Sequence, residues 1–564
     1  VKRVRQCPNN EDARLGYQHA SKNFQDALSP YLLRRDKRED SAVQLFAERT
    51  GLPIHAYRQE LEIAVETVSL PLSWRQVVCA AEALSVVARQ AENSKAKRLR
   101  LTMGNGHGIA SLMAQTSRNN ILDKTQEEHD KAEQCGDAPG MASEVPDLRR
   151  ESRVAWWLNV MTQTFSGANV SLFDHPAMHA AVRAIEATAA KGDKVLVFGK
   201  FTEPLRALVE ILNAREMLRC LQAGQPWPQE VVHEGSSDNG ISRGERAALA
   251  AAHKQMKCSI PLTEIDQRLK SQYREIKNSR ERLRGSLIAK IEAGFALHRP
   301  DTRAKVLFNS FSESATRSLE SGDGHPLALV CRAVYELLGT EIEKAEPADF
   351  ADAFIQLLNA LSDRDERDAD ESHVVVNETA FKIWKQLEAR LLDEYKGPQG
   401  GFARLMYGDT EMKSRRMMQL SFNRPSSYPK VLVAQSVVGR EGLNLHKACR
   451  TVVLLHPEWN PGVVEQQIGR VDRVGSHWET QLNKAIEDDR PINELPRIDV
   501  LPVIFRGTYD EYNWKVLRER WDDLRSQLHG IVSPLGGAAA DLEQQLLFAE
   551  IAKSAPNFSP SRRQ

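Results

Sequence analysis

The densest group of residues that could do chemistry lies at 465–476, where two arginines stand among glycines. Arg470 and Arg473 are three residues apart, so on a helix both side chains would project from the same face. Guanidinium groups stay charged and form paired hydrogen bonds with phosphate oxygens, and neighbouring glycines let a backbone approach closely. The pattern therefore favours a polyphosphate site in which arginine stabilises a transferred phosphoryl group. The alternative, from the residues alone, is a pair of surface arginines bonded to Asp472 or Glu465.

Short apolar runs predict the elements that would position these arginines. Each run is continuous, as in a strand buried on both faces, and helical patterns lie between the runs. Strands that alternate with helices indicate a mostly parallel sheet, with ligands at the carboxyl ends of its strands. Pro502 in the last run predicts an edge strand, because proline cannot donate to a ladder. The predicted strands cover residues 194–198, 403–408, 430–434, 451–455 and 498–505.

A long helical stretch separates the first predicted strand from the others. Residues 223–397 predict a helical insertion into one sheet domain, which is tolerated because loop-closure entropy grows slowly with length. Within it, residues 266–290 are basic and carry an apolar stripe. They predict either a helix along DNA phosphates or a long solvated helix, and their mixed charge favours the second. Residues 391–394 (L-L-D-E) fit helical spacing, so we expect a surface helix there rather than an acid-tipped strand that holds Mg²⁺.

Composition excludes several classes of protein. Lys and Arg total 76 and Asp and Glu total 76, so a uniformly basic nucleic-acid coat is excluded and any contact with DNA needs a local patch. No apolar run reaches about 18 residues, so we expect no membrane partner. The 7 cysteines are scattered without a C-x-x-C pair, so neither a disulfide framework nor a zinc ribbon is expected, and we predict no metal site in the chain.

Three segments near the arginines carry recognisable patterns: residues 466–475 (Q-Q-I-G-R-V-D-R-V-G), 439–445 (G-R-E-G-L-N-L) and 456–461 (H-P-E-W-N-P). They resemble motif VI, motif V and the D-P-x-W-N-P segment of Swi/Snf-like superfamily 2 ATPases, with His456 in place of the acid. Asp472, between the arginines, resembles the bacterial RNA-polymerase-recycling, RapA-like group most closely. Further segments that resemble the family, in the expected order, are 29–37 (the end of the first lobe), 194–202 (motif IV), 408–423 and 507–511.

The resemblance implies two RecA-like lobes with ATP and Mg²⁺ in the cleft between them, and double-stranded DNA as partner. Motif VI arginines of the family reach the γ-phosphate, which makes Arg470 and Arg473 the expected catalytic arginine fingers. The implied nucleotide-site residues are Gln466, Gly439, Glu441, Gly442 and Gly469. The implied DNA contacts are Lys200, Thr202, Thr410, Asn444, Trp459 and Asn460, and for Trp459 a core position is an equal alternative.

The sequence contains no G-x-x-x-x-G-K-[ST] string, the P-loop whose backbone and lysine cradle phosphates. We therefore expect ATP and Mg²⁺ to be held mainly by an upstream first lobe, in cis or in trans, and this chain alone to be inactive. The expected parts are the end of the first RecA-like lobe (1–50), a mostly helical connecting region (51–175), the second RecA-like lobe (176–222 with 398–525), the insertion (223–397), and a C-terminal helix and tail (526–564).

Together these expectations describe the C-terminal part of an ATP-dependent double-stranded-DNA translocase. Its fold class would be α/β, a RecA-like parallel sheet lobe with a large helical insertion and helical flanking regions. Two alternatives stay open: a strand-separating DNA helicase, and a non-catalytic nucleic-acid-binding module that keeps the helicase C-terminal fold. The resemblance also leads us to expect a cytoplasmic, nucleoid-associated protein of a prokaryote.

Overall fold

The structure, a computed structural model, describes residues 1–31, 36–87, 148–166, 172–233, 244–297, 302–318, 322–361, 377–396, 401–408, 410–436, 443–528, 530–532 and 542–559. A parallel sheet lies at its centre, in the strand order β1-β7-β6-β3-β5-β4, with β2 paired to β7 as well. The strands are β1 (Arg58–Glu60), β2 (Ile63–Glu66), β3 (Lys194–Gly199), β4 (Ala403–Met406), β5 (Val431–Gln435), β6 (Cys449–Leu454) and β7 (Ile498–Arg506).

Helices cover both faces of the sheet and build the regions around it. The described helices are α1 (Lys2–Gln6), α2 (Glu11–Leu28), α3 (Ser41–Thr50), α4 (Leu72–Val87), α5 (Leu148–Ser166), α6 (Pro176–Ala189), α7 (Thr202–Ala223), α8 (Glu245–Met256), α9 (Ile265–Arg284), α10 (Leu287–Leu297), α11 (Thr302–Arg317), α12 (Pro326–Leu338), α13 (Pro347–Leu361), α14 (Asn377–Lys396), α15 (Met412–Phe422), α16 (Pro461–Ile468), α17 (His477–Glu487), α18 (Tyr509–Leu528) and α19 (Leu542–Ala552).

The central strand β3 shows why the apolar runs are continuous. Val195 and Val197 belong to the core on one face of the sheet, which includes residues of α4–α8. Leu196 and Phe198 belong to the core on the other face, which includes residues of α3 and α15–α18. Successive side chains of a strand point to opposite faces, so a strand covered on both sides must be apolar at every position. The predicted α/β class, a parallel sheet covered by helices on both faces, is confirmed.

Two strands lie in a segment for which a mostly helical connection was expected. Residues 58–60 and 63–66 form β1 and β2, which extend the sheet beyond β7. The prediction that Pro502 marks an edge strand is therefore wrong, since β7 pairs on both sides. The register explains how proline is tolerated: Glu60 pairs with Val500 and Ile63 with Val503, so Pro502 lies opposite the short interval between β1 and β2.

The insertion has a core of its own. Leu287, Phe311, Phe354 and Trp384 are buried together among helices α9–α14. Met417 of α15 joins this core, so the insertion packs directly against a helix that also covers the sheet. The L-L-D-E stretch at 391–394 lies inside α14, as its helical spacing predicts.

Helix α9 connects the two cores. Ile265 and Leu269 in its first half are buried in the core against the sheet, whereas Leu283 near its end belongs to the insertion core. The basic residues of this helix include Lys270, Arg274 and Lys277, which face solvent. The described part of the chain contains no helix long and apolar enough to cross a membrane.

The start and the end of the chain pack on each other. Val4 of α1 and Tyr17 of α2 share a small core with Ile551 of α19. The Arg38 guanidinium donates to the carbonyl oxygens of Ala552 at 2.8 Å and Pro556 at 2.9 Å. The segment for which the end of the first lobe was expected is therefore fastened to the C-terminal residues.

Gly294 tests the packing of the insertion. A Cβ at this position of α10 would meet the carbonyl oxygen of Pro347 and would lie 2.7 Å from the Cβ of Ala351 on α13. We expect Gly294→Ala to lower the free energy of unfolding by about 1–3 kcal/mol, because neither backbone can yield freely. Gly285→Ala is the matched control, since the nearest atom there is 3.7 Å away; it should be neutral or slightly stabilising. Urea unfolding measures the free energy of unfolding of both variants. Equal values for Gly294→Ala and Gly285→Ala would contradict this packing.

Candidate nucleotide and nucleic-acid site

The carboxyl ends of the central strands are joined by hydrogen bonds. The backbone N–H of Ser436, after β5, donates to the Gly199 carbonyl at the end of β3, at 2.9 Å. The Lys200 N–H donates to Nδ1 of His456, which follows β6, at 3.2 Å. The segments after β3 and β6 include the predicted motif IV and the start of the H-P-E-W-N-P segment, so the fold brings these two to one edge of the sheet.

His456 is buried at this edge and occupies the position where the family has an acid. Its burial, with smaller contributions from His175 and Lys200, lowers its pKa to about 3. The imidazole is therefore neutral at pH 7, and because its Nδ1 accepts a hydrogen bond, its proton is on Nε2. A Cβ at Gly199 would lie 2.5 Å from this Nδ1, so only glycine allows the ring to approach β3 so closely.

Lys200 and Thr202 lie where β3 passes into α7. Thr202 is the first residue of this helix of 22 residues, at the end where the unpaired N–H groups and the helix dipole favour an anion. Lys200 is half-buried, and its Nζ lies 6.0 Å from the centre of the Phe201 ring. Both predicted DNA contacts therefore stand at an edge that suits phosphate.

Thr410 lies in a tightly held turn after β4. Its Oγ1 accepts a hydrogen bond from the Tyr407 N–H at 3.0 Å. The buried guanidinium of Arg415 donates to the carbonyl oxygens of Gly408 at 2.7 Å and Thr410 at 2.8 Å. Arg415, one of the two arginines that could match this family segment, therefore supports the turn that carries Thr410.

Asn444 is fixed by a neighbouring side chain. Nδ2 of Asn423 donates to the Asn444 carbonyl at 2.7 Å, and Oδ1 of Asn423 accepts from the Lys447 N–H at 3.2 Å. The preceding residues 437–442 lie outside the described part of the chain. The predicted nucleotide-site residues Gly439, Glu441 and Gly442 fall there and stay predictions.

Arg470 and Arg473 do not share a helix face as the spacing predicts. Helix α16 ends at Ile468, and successive turns follow, in which the Arg470 N–H donates to the Gln467 carbonyl at 3.2 Å. We call residues 469–475 the arginine turn. Nε of Arg473 donates to the Gly469 carbonyl at 3.2 Å, so this guanidinium lies back across the turn.

The two guanidinium groups influence each other electrostatically. Arg470 is only 7% exposed, and burial followed by the charge of Arg473 lowers its pKa. Two like charges held near each other in a partly desolvated place are unfavourable by themselves and are improved by a bound anion. The arrangement is therefore chemically suited to phosphate oxygens.

Three other residues around the arginine turn play different parts. Gln466, the predicted nucleotide contact, is exposed, and Gly469 is half-buried at the start of the turn. Gln467 is buried and its Nε2 donates to Oγ of Ser436 at 3.2 Å, which links α16 to the end of β5. No sequence pattern distinguishes Gln467 from its neighbour; only the fold reveals its contact.

Trp459 and Asn460 precede α16. Trp459 is 45% exposed, so the core alternative is wrong for this residue. Asn460 is the N-cap of α16, where its Oδ1 accepts from the Gly462 N–H at 2.9 Å. This cap is a structural reason for an asparagine at this position, and the predicted DNA contact of Asn460 stays a prediction.

Asp472 is bonded on both carboxylate oxygens. Oδ1 accepts from Nζ of Lys37 at 2.6 Å, and Oδ2 accepts from the Tyr57 hydroxyl at 2.7 Å and from Nε of Arg58 at 2.8 Å. We call these four residues the carboxylate clamp. Burial acts to raise the pKa of Asp472, but Arg58 and Lys37 outweigh it and hold the pKa at about 2.

Glu465 of α16 is a second bonded carboxylate, and it shares Arg58 with the carboxylate clamp. It accepts from Nη1 of Arg58 at 3.0 Å, from Nε1 of Trp521 at 2.6 Å and from Nε of Arg525 at 3.3 Å. Asp472 and Glu465, which the simpler alternative assigned to the two candidate fingers, thus bind cations from β1 and α18. Sequence reasoning missed these partners because Arg58 is 414 positions from Asp472, and even Arg525 is 60 positions from Glu465.

Comparisons with known proteins agree with the motifs. Residues 352–475 match the helicase conserved C-terminal domain. The Arabidopsis thaliana SNF2 domain-containing proteins CLASSY 4 and CLASSY 3 are 38% and 36% identical to this chain over 102 and 91 residues. These matches cover 18% and 16% of this chain but only 9% and 6% of the relatives, so it matches less than a tenth of each of them.

One solved structure aligned with this chain is described as the C-terminal part of the Fun30 ATPase domain. It aligns with 49% of this chain and 95% of its own, at 10% identity and a TM-score of 0.16. The family match and the two relatives confirm the resemblance to a Swi/Snf-like superfamily 2 C-terminal lobe. The finer likeness to the bacterial RNA-polymerase-recycling group stays a prediction.

The pH dependence of stability tests the charge state of Asp472. Its pKa is about 2 in the fold and about 3.9 in an unfolded chain, so its stabilisation is complete above the unfolded value and is lost as pH falls through the folded one. We expect Asp472→Asn to lower the free energy of unfolding by about 3 kcal/mol at pH 7 and the difference from the unmodified chain to shrink towards pH 2. Urea unfolding at several pH values measures both.

Asp488→Asn is the control for this experiment. Asp488 pairs with Arg490, and the two side chains are 45% and 49% exposed, so its removal should change stability by less than about 0.5 kcal/mol. A difference for Asp472→Asn that is absent at pH 7, or that persists unchanged at pH 2, would contradict a buried, ionised carboxylate.

Proposed function

We propose that this chain, which resembles the C-terminal lobe of Swi/Snf-like superfamily 2 ATPases, is part of an ATP-dependent double-stranded-DNA translocase. Its role is to supply arginine fingers and DNA contacts to a composite active site. The observation that supports this most directly is the arginine turn, in which a nearly buried Arg470 lies within the electrostatic influence of Arg473. Such a pair favours a polyanion that arrives from outside the lobe.

The chemistry follows from where charge develops. In phosphoryl transfer the protein positions the nucleotide and stabilises charge on the γ-phosphate oxygens. Arg470 and Arg473 would meet these oxygens and would become most favourable in the transition state, when the charge is greatest. A finger of this kind is worth about 10³–10⁵ in rate.

In this proposal, the P-loop that binds the ATP phosphates belongs to another lobe. The sequence has no P-loop string, and among the described residues no group of three His, Cys, Asp or Glu side chains could hold a metal ion. Mg²⁺ would therefore come with ATP on a first RecA-like lobe, in cis or in trans, and this chain alone would not hydrolyse ATP.

DNA contacts are proposed for the carboxyl edge of the sheet. Lys200 and Thr202 stand at the N-terminus of α7, where an ammonium, a hydroxyl and backbone N–H groups can all bind phosphate oxygens. Thr410 is held on the neighbouring turn after β4. Exposed Trp459 and half-buried Asn444 complete the proposed surface. Contacts of this kind position a duplex without reading its sequence, as a translocase requires.

A short chain of hydrogen bonds connects the proposed DNA site with the proposed ATP site. Gln467 of α16 bonds Ser436 at the end of β5, and Ser436 in turn bonds the Gly199 carbonyl just before Lys200. A displacement of Lys200 by a DNA phosphate would therefore be transmitted through these hydrogen bonds to α16, the helix that leads into the arginine turn. This connection supports hydrolysis that depends on DNA.

Removal of one finger is the test of the proposed chemistry. In the complete ATPase that contains this chain, we expect Arg473→Ala to lower the kcat of DNA-stimulated ATP hydrolysis by about 10³-fold or more, because transition-state charge loses its partner. DNA affinity should change by less than about threefold. Arg490→Ala is the matched control, because this exposed arginine pairs only weakly with Asp488.

An unchanged kcat in Arg473→Ala would favour the non-catalytic binding module over an ATPase. Displacement assays on the unmodified enzyme separate the two motor hypotheses. A translocase displaces a third strand from a triplex without opening the duplex, whereas a strand-separating helicase releases a strand from a forked duplex.

Lys200 tests the proposed DNA edge. We expect Lys200→Ala to reduce the slope of log affinity for duplex DNA against log salt by about 0.9, the change for one lost phosphate contact. Lys191→Ala is the control, since Lys191 is exposed and precedes the amino end of the same strand. Titrations of this chain with duplex DNA at several salt concentrations measure both slopes. Equal slopes for the two variants would place the DNA elsewhere.

A further inference from the structure

We propose that the carboxylate clamp positions the arginine turn, and that Lys37 acts as a positioning residue for the finger arginines. The inference rests on the proposed function, because it takes Arg470 and Arg473 to be the fingers. It goes beyond that function by making their orientation depend on a segment near the start of the chain.

The clamp acts at the point where it can control both arginines. Asp472 directly precedes Arg473 and follows Arg470 by two residues. Its side chain is 1% exposed, and both of its oxygens are bonded. A turn whose middle residue is anchored in this way has few backbone conformations left, so the side chains on either side leave it in fixed directions.

Arg58 fixes the arginine turn relative to the helix before it. The same guanidinium donates to Asp472 at 2.8 Å and to Glu465 of α16 at 3.0 Å. Glu465 lies seven residues before Asp472, so the two carboxylates bracket the end of α16 and the first half of the arginine turn. Arg58 opens β1, which pairs with β7, so the bracket is attached to the sheet itself.

Lys37 brings a different part of the chain to the same carboxylate. It is separated from Asp472 by 435 positions and lies in the short 3₁₀ turn Lys37–Glu39. The segment that contains it resembles the end of the first lobe. If that lobe moves, Lys37 is the clamp member closest to the movement, and its withdrawal would release Oδ1 of Asp472 while Tyr57 and Arg58 still hold Oδ2.

This asymmetry makes Lys37 suitable for an experiment. Its side chain is 23% exposed and also pairs with Asp40 at 3.6 Å, whereas Asp472 is almost fully buried. A change at Lys37 should therefore loosen the arginine turn without unfolding the lobe. Because Lys37 contacts neither nucleotide nor DNA in this account, its effect must appear in the chemical step rather than in binding.

The test uses the complete ATPase with duplex DNA. We expect Lys37→Met to lower kcat about tenfold while the KM for ATP, DNA affinity and Tm stay close to those of the unmodified enzyme, since misplaced catalytic groups affect the chemical step. Lys37→Arg should restore most of the activity, because it returns a cation to Oδ1. Tyr57→Phe, which removes one hydrogen bond, should have a smaller effect of about threefold. Lys344→Met, at an exposed lysine of the insertion, is the control and should be neutral.

The outcomes separate the clamp from the proposed function. If Arg473→Ala abolishes hydrolysis but Lys37→Met leaves kcat within about twofold, the clamp proposal is overturned and the fingers stand. If Lys37→Met lowers Tm and kcat together and Lys37→Arg restores neither, the residue is merely structural and the proposal is also overturned. If Arg473→Ala leaves the kcat of ATP hydrolysis unchanged, the proposed function is wrong, and the clamp proposal that rests on it is overturned as well.

Discussion

The arginine turn depends on one buried carboxylate. Asp472 would be costly to ionise in a desolvated place, and the positive charges of Arg58 and Lys37 offset that cost. The same bonds connect the end of α16 to residues near the start of the chain. A pair of repelling guanidinium groups can therefore stand beside a stable anchor, which a surface turn with the same sequence could not provide.

The parallel sheet contributes the second constraint. Its strands all end at one edge, so residues from distant segments meet there without special loops. The contact between His456 and Gly199 shows how tightly the segments meet, because a single methyl group at 199 would collide with the ring. A neutral, buried imidazole takes the position of the usual acid, and the edge accordingly carries one less negative charge towards the proposed phosphates.

The sequence predicts best where one physical cause dominates. The apolar run from Val195 to Phe198 predicts a strand, because helices cover both faces of the sheet at this position. This pattern can be recognised without knowing which residues pack against the strand. Strand β1, Arg58-Gln59-Glu60, was missed because its charged side chains are paired with residues of α16 and α18 that are remote in sequence. The expectation that Arg470 and Arg473 lie on a helix was wrong for a local reason, since α16 ends at Ile468. The bond between Lys37 and Asp472 leaves no signal in a single sequence.

In the proposed function, Arg470 and Arg473 bind a nucleotide that is held by another lobe. A structure of the complete ATPase with duplex DNA, ADP, Mg²⁺ and aluminium fluoride, which mimics the transferred phosphoryl group, tests it most directly. Both guanidinium groups should lie within hydrogen-bond distance of the fluoride or β-phosphate atoms, and Arg473 should no longer bond to the Gly469 carbonyl. A complex in which the nucleotide is bound and both arginines remain folded against their own lobe would contradict it.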